Sequence, residues 1–153
     1  MSIEQRIVEL GLKLPTAPAA GGTYSPVVIM GSNAYVSGQG PVLADGSMIT
    51  GRVGADLTEQ QGIEAARTVG LTMLATIQAQ LGSLDRVKRI IKVLGMVNAA
   101  SDFEQHPKVI NGFSDLMVEI WGENGRGARS AVGMGSLPGN IAVEIEAILE
   151  LHE

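Results

Sequence analysis

Apolar residues recur along this chain at two periods, and the changes of period divide it into elements. Ile3, Ile7, Val8 and Leu10 form a helical stripe behind Ser2, which suits the capping position. Gly11 and Pro15 stop that helix, and Pro15–Gly22 reads as an irregular connector. Tyr24–Met30 predicts a strand, Gly31-Ser32-Asn33 a turn, and Ala34–Ser37 the returning strand of a hairpin. Ala44-Asp45-Gly46 makes a further turn before a short strand near Met48–Thr50.

The longest helix starts at Thr58, where Thr58-Glu59-Gln60-Gln61 fits a capping box. Ile63, Ala66, Val69 or Gly70, Met73, Ile77 and Leu81 then recur every three or four residues, a buried stripe that Gly82 ends. Leu84–Arg86 predicts a turn, and Val87–Val97, rich in Ile and Val, a strand. His106-Pro107 opens a second long helix, with Ile110, Phe113, Met117, Ile120 and Trp121 on its apolar face and Gly122 and Gly125 at its end. Strands near Ser130–Met134 and Ala142–Leu151 follow, connected through Leu137-Pro138-Gly139-Asn140. The order β-β-β-α-β-α-β-β after an N-terminal helix predicts an α+β sheet with two helices packed on one face. We expect one domain over residues 1–153, with 1–19 as an extension of helix and connector.

Composition narrows the function classes. The 153 residues suffice for one core, and 45 % of them are hydrophobic, which argues against disorder. No apolar run approaches the ~18 residues of a membrane span, and the mixed-charge start lacks a signal-peptide pattern. With no cysteine there is neither a disulfide nor a thiolate nucleophile, and the expected location is cytoplasmic. The net charge of −5 and the 3 % of aromatics speak against nucleic acid as a partner. Arg86, Lys88, Arg89 and Lys92 form a local basic stretch that reads as a solvated strand face. Twenty glycines beside much alanine and valine suggest that part of the core is completed between subunits.

Standard catalytic constellations are absent. Of the two histidines, His152 lies in the tail and His106 opens a helix, so neither suggests a triad or a metal site. Gly38-Gln39-Gly40-Pro41 lacks the lysine and the helix start of a phosphate cradle. What remains is Arg129 and Glu144. An arginine can clamp a carboxylate through its planar fork, and a glutamate can act on a water, although an ion pair and a solvated strand face are the commoner uses of such residues. On the last strand Val143, Ile145, Ala147 and Leu149 share one face, while Glu144, Glu146, Ile148 and Glu150 share the other.

Three motifs, in order, resemble a known family. Gly22-Thr23-Tyr24-Ser25-Pro26 with Val36-Ser37-Gly38-Gln39-Gly40-Pro41-Val42, then Val109-Ile110-Asn111, then Gly127-Ala128-Arg129-Ser130-Ala131-Val132 with Leu137-Pro138 and Val143-Glu144-Ile145-Glu146-Ala147, are similar to the signatures of the Rid family. These are the reactive-intermediate imine and enamine deaminases, also named for L-PSP endoribonuclease and translation-inhibitor activity. The resemblance implies a chorismate-mutase-like fold and a homotrimer with clefts between subunits. It implies hydrolysis of 2-imino acids to 2-oxo acids and ammonia, as by a 2-iminobutanoate/2-iminopropanoate deaminase, without metal or cofactor. In that reading Arg129 binds the substrate carboxylate and Glu144 positions water. Tyr24, Ser37 and Asn111 line the pocket, and a carbonyl near Ala131 holds the same water.

The chain departs from the family at Thr23, Gly127 and Ala131, where proline, proline and cysteine are common, and by an insertion between Phe103 and Asn111. The N-terminal helix is a further addition. A non-catalytic module binding a small carboxylate or amino acid at the same clefts is the alternative, and an endoribonuclease the weaker one.

Overall fold

A computed structural model describes residues 1–153. Five strands form one sheet: β1 (Val27–Met30), β2 (Asn33–Gln39), β3 (Val87–Asn98), β4 (Ala128–Met134) and β5 (Val143–Leu151), in the spatial order β1-β2-β5-β3-β4. Only β3 and β4 run parallel. Helices α2 (Glu59–Leu81) and α3 (His106–Trp121) cover one face, and a cluster of 29 buried residues lies between them and the sheet. This is the expected mixed α+β architecture, with α1 (Ile3–Glu9) as a third helix.

Local sequence explains the helix boundaries. Thr58 Oγ1 accepts from the Gln61 amide at 3.1 Å while Gln61 Oε1 accepts from the Thr58 amide at 2.8 Å, closing the capping box. Ser2 and Gln5 make the same reciprocal pair at α1. Gly82 ends α2 in the left-handed region, at φ 84°. Helix α1 docks through its first turn, where Glu4 accepts from the Leu84 amide at 2.7 Å and from the Ser83 hydroxyl at 2.9 Å.

The small residues have a local use. A Cβ on Gly112 of α3 would lie 2.1 Å from the Ile63 carbonyl oxygen of α2, so the two helices approach more closely there than any side chain allows.

Two expectations differ from the structure. The strand near Met48–Thr50 is reduced to two isolated bridges, Val42 to Met48 and Thr50 to Ile141, because the turn at Ala44–Gly46 breaks the segment into pieces too short for a ladder. The first strand begins at Val27 rather than Tyr24, after Pro26, which has no amide to donate. The last two strands follow each other in sequence, but β3 lies between them.

Register settles which way each strand's side chains point. Val93 and Val97 of β3 lie in the helix-covered core, whereas Leu94 and Met96 pack on the opposite face with Leu137 and Ile141. Val93 pairs with Arg129 of β4 and Ala147 of β5, while Met96 pairs with Val132 and Glu144. Arg129 therefore emerges on the helix side of the sheet and Glu144 on the open side.

Candidate functional site

Arg129 stands on edge strand β4 beneath the start of α3. Its guanidinium donates to Asn111 Oδ1 at 2.8 Å, to Ser114 Oγ at 3.3 Å and to the Pro107 carbonyl at 3.4 Å. All three acceptors are neutral, and the four ion pairs of the chain leave Arg129 without a carboxylate partner. Asn111 and Ser114 sit three residues apart on one helix face, so both reach the same guanidinium. Asn111 came from the sequence; Ser114 did not, although that spacing would have found it. The fork is thus oriented and makes no ion pair, beside a small depression of about 190 Å³ that Asp115 and Arg126 also line.

Glu144, Tyr24 and Ser37 come together on the other face of the sheet, lining a second depression with Gly38, Pro138 and Glu146. The β2–β5 register shifts by one residue between Val36 and Gln39, which places a bulge at Ser37-Gly38 opposite Glu146, two residues along β5 from Glu144. A Cβ on Gly38 would lie 2.9 Å from Glu144 Oε2, so the carboxyl occupies space that only glycine leaves open. Gly38 is visible in sequence only as part of a motif; its contact with Glu144 depends on the bulge. Ser37 Oγ donates to the Ser25 carbonyl at 2.7 Å, and Tyr24 Oη accepts from the Gly21 amide at 3.0 Å. That tyrosine is 51 % exposed. Burial, followed by the neighbouring Glu146 charge, raises the pKa of Glu144 above its ordinary value of 4.5.

Five of the six residues singled out from sequence therefore fall into two groups. Arg129 and Asn111 form one, and Tyr24, Ser37 and Glu144 the other; no residue lines both depressions. Ala131 lies between Arg129 and Gly133 on β4, half-buried against the core. The N-terminal helix lines neither depression, but the connector after it contributes Pro18–Gly21 to the wall beside Tyr24 and Glu144. The basic stretch is partly neutralised, since Lys88 pairs with Glu150 at 2.9 Å. No three His, Cys, Asp or Glu side chains are grouped so as to hold a metal ion, and no helix is long and apolar enough to cross a membrane.

A five-stranded mixed sheet backed by two helices, with an arginine on its β4 edge, defines the class as chorismate-mutase-like α+β. The family model described as "YjgF/chorismate_mutase-like, putative endoribonuclease" matches residues 4–151, and the chain belongs to this YjgF/L-PSP (Rid-like) family. Protein TCP17 of Trypanosoma cruzi is 42 % identical over 151 residues, covering 98 % of this chain and 94 % of the relative. A 2-iminobutanoate/2-iminopropanoate deaminase of Dermatophagoides farinae is 30 % identical over 142 residues, covering 92 % and 95 %. Among solved structures, Atu1372 of Agrobacterium tumefaciens, a protein of unknown function, superposes with a TM-score of 0.89 at 42 % identity, covering 99 % of this chain and 94 % of its own.

Proposed function

We propose that the chain hydrolyses small 2-imino acids, or the enamines that tautomerise to them, at clefts assembled between neighbouring subunits of a homotrimer. One subunit supplies Arg129 with Asn111, and the next supplies Glu144 with Tyr24 and Ser37. The observation that carries this reading is the Arg129 guanidinium, held by three neutral oxygens and left without a carboxylate. A substrate carboxylate completes its charge and its fork. The deaminase from Dermatophagoides farinae supports the reaction class.

The chemistry asks little beyond orientation. Water adds to the C=N carbon, giving a carbinolamine; the C–N bond then breaks, leaving a 2-oxo acid and ammonia. One water is consumed, and no electrons are exchanged. Glu144 takes a proton from the attacking water and returns it to the departing nitrogen, a role that a raised carboxyl pKa suits. Arg129 fixes the acid end, so the imine carbon meets an oriented water rather than a diffusing one.

The test is a coupled assay with an amino-acid dehydratase or oxidase as imine source, following release of the 2-oxo acid. The chain should accelerate release. Arg129→Lys, which keeps the charge but loses the fork, should lower kcat/KM by about ten- to a hundred-fold, corresponding to ~1.5–3 kcal/mol. No acceleration over buffer, or an acceleration that Arg129→Lys leaves intact, contradicts the proposal. Thermal stabilisation by 2-oxo acids without turnover would instead identify a binding module.

A further inference from the structure

Beyond this reading lies a second positively charged depression, of about 350 Å³, at the far end of β4. Arg52 and His106 line it with Ser101, Phe103 and Gly133, and no acidic side chain does. Both basic residues are fixed in place. The Arg52 guanidinium donates to the Ala99 carbonyl at 2.8 Å and to the Gly135 carbonyl, which ties the end of β3 to the segment after β4. Those bonds occupy two of its five donors and give it no carboxylate. The nearby Asp56 carboxylate accepts from the Arg52 main-chain amide at 2.9 Å and does not line the depression.

His106 stands edge-on to Phe103, with ring centroids 5.3 Å apart and planes at 82°. The ring rests over β4 at Gly133, where a Cβ would lie 2.6 Å from Nε2. A guanidinium with free donors, an imidazole and a hydroxyl thus converge on one concavity of a chain whose net charge is −5. Elsewhere in the chain four basic side chains are paired with acids.

We propose that this depression binds a phosphate dianion, either the free ion or the head of a small phosphate monoester. A phosphate offers more than two oxygens and two charges, enough to meet a forked guanidinium, an imidazole and a hydroxyl at once, whereas a carboxylate offers two oxygens and one charge. It is a separate site from that of Arg129. Gly133 lies four residues further along β4, about 13 Å at the strand rise, and the two depressions share no lining residue. A small 2-imino acid does not bridge that distance, so the inference stands whether or not the imine-hydrolase reading holds.

The two histidines allow a direct test on the full chain. Proton NMR of the imidazole signals is followed during titration with inorganic phosphate and, separately, glycerol 3-phosphate at constant ionic strength; His152→Gln assigns the remaining signal. The His106 resonance should shift saturably with a millimolar or lower midpoint, while His152 and a matched chloride titration show no saturable change. Tighter binding of the ester identifies a phosphorylated metabolite, and binding of phosphate alone the free ion. His106→Gln, followed by calorimetry, should weaken binding about ten-fold without lowering the melting temperature. Arg52→Lys should weaken it several-fold, and the His106 variant decides if loss of the Arg52 clamp unfolds the chain. Arg129→Ala should leave phosphate binding unchanged. The site is disproved by the absence of a saturable shift, by an equal response to chloride, or by loss of phosphate binding in Arg129→Ala.

Discussion

At the scale of single residues, the two charged groups differ in what they lack. Arg129 has three neutral partners and no ion pair, whereas Glu144 has a like charge nearby and too little water. The sign of the second effect is testable. A carboxyl whose folded pKa lies above its ordinary value of 4.5 contributes stability below that value and loses it as pH rises through the folded pKa. At neutral pH the Glu144 charge therefore opposes folding. Glu144→Gln should melt higher than the parent at pH 7, and the gap should close as pH falls towards 4, read by calorimetry at both pH values. Gly38→Ala tests the space around the same carboxyl. Its Cβ would displace Oε2, so kcat/KM in the imine assay should fall between about ten- and a hundred-fold with the melting temperature little changed. Short motifs single out Arg129, Glu144, Tyr24, Ser37 and Asn111, but not that they divide between two faces of the sheet. The partners of Arg129 were only half legible, because Ser114 becomes visible only when helix spacing is applied to Asn111.

At the scale of elements, periodicity located every helix and most strands, and capping chemistry placed the helix starts. Thr58 and Ser2 close boxes with Gln61 and Gln5, and both side chains of each pair can be read from four consecutive letters. The Met48–Thr50 strand failed because a strand needs a partner, and the short pieces on either side of the Ala44–Gly46 turn obtain only isolated bridges. The bulge at Ser37-Gly38 was equally hidden, since it exists only in the count of β2 residues against β5 residues. Gly112 was legible as a glycine but not as a helix contact. Gly112→Ala should force α2 and α3 apart at the Ile63 carbonyl and cost about 3 kcal/mol, lowering the melting temperature by about 6–12 °C.

At the scale of the whole molecule, strand register governs what the site can be. Arg129 pairs across to Val93 and Glu144 to Met96, three residues apart on β3, and they point to opposite faces of the sheet. No sequence motif contains that fact, because β4 and β5 are successive in the chain but separated in the sheet by β3. Within one chain Arg129 and Glu144 do not meet. The central claim is therefore that they meet across a subunit boundary, and mixing two variants tests it most directly. Arg129→Ala and Glu144→Ala proteins, each inactive alone, are unfolded together in equal amounts, refolded, and assayed for imine hydrolysis. Random association pairs an intact Arg129 with a neighbour's intact Glu144 at about a quarter of the clefts, so about a quarter of the parent activity should return. If the mixture stays as inactive as its components while the parent recovers full activity after the same treatment, Arg129 and Glu144 do not act together across subunits.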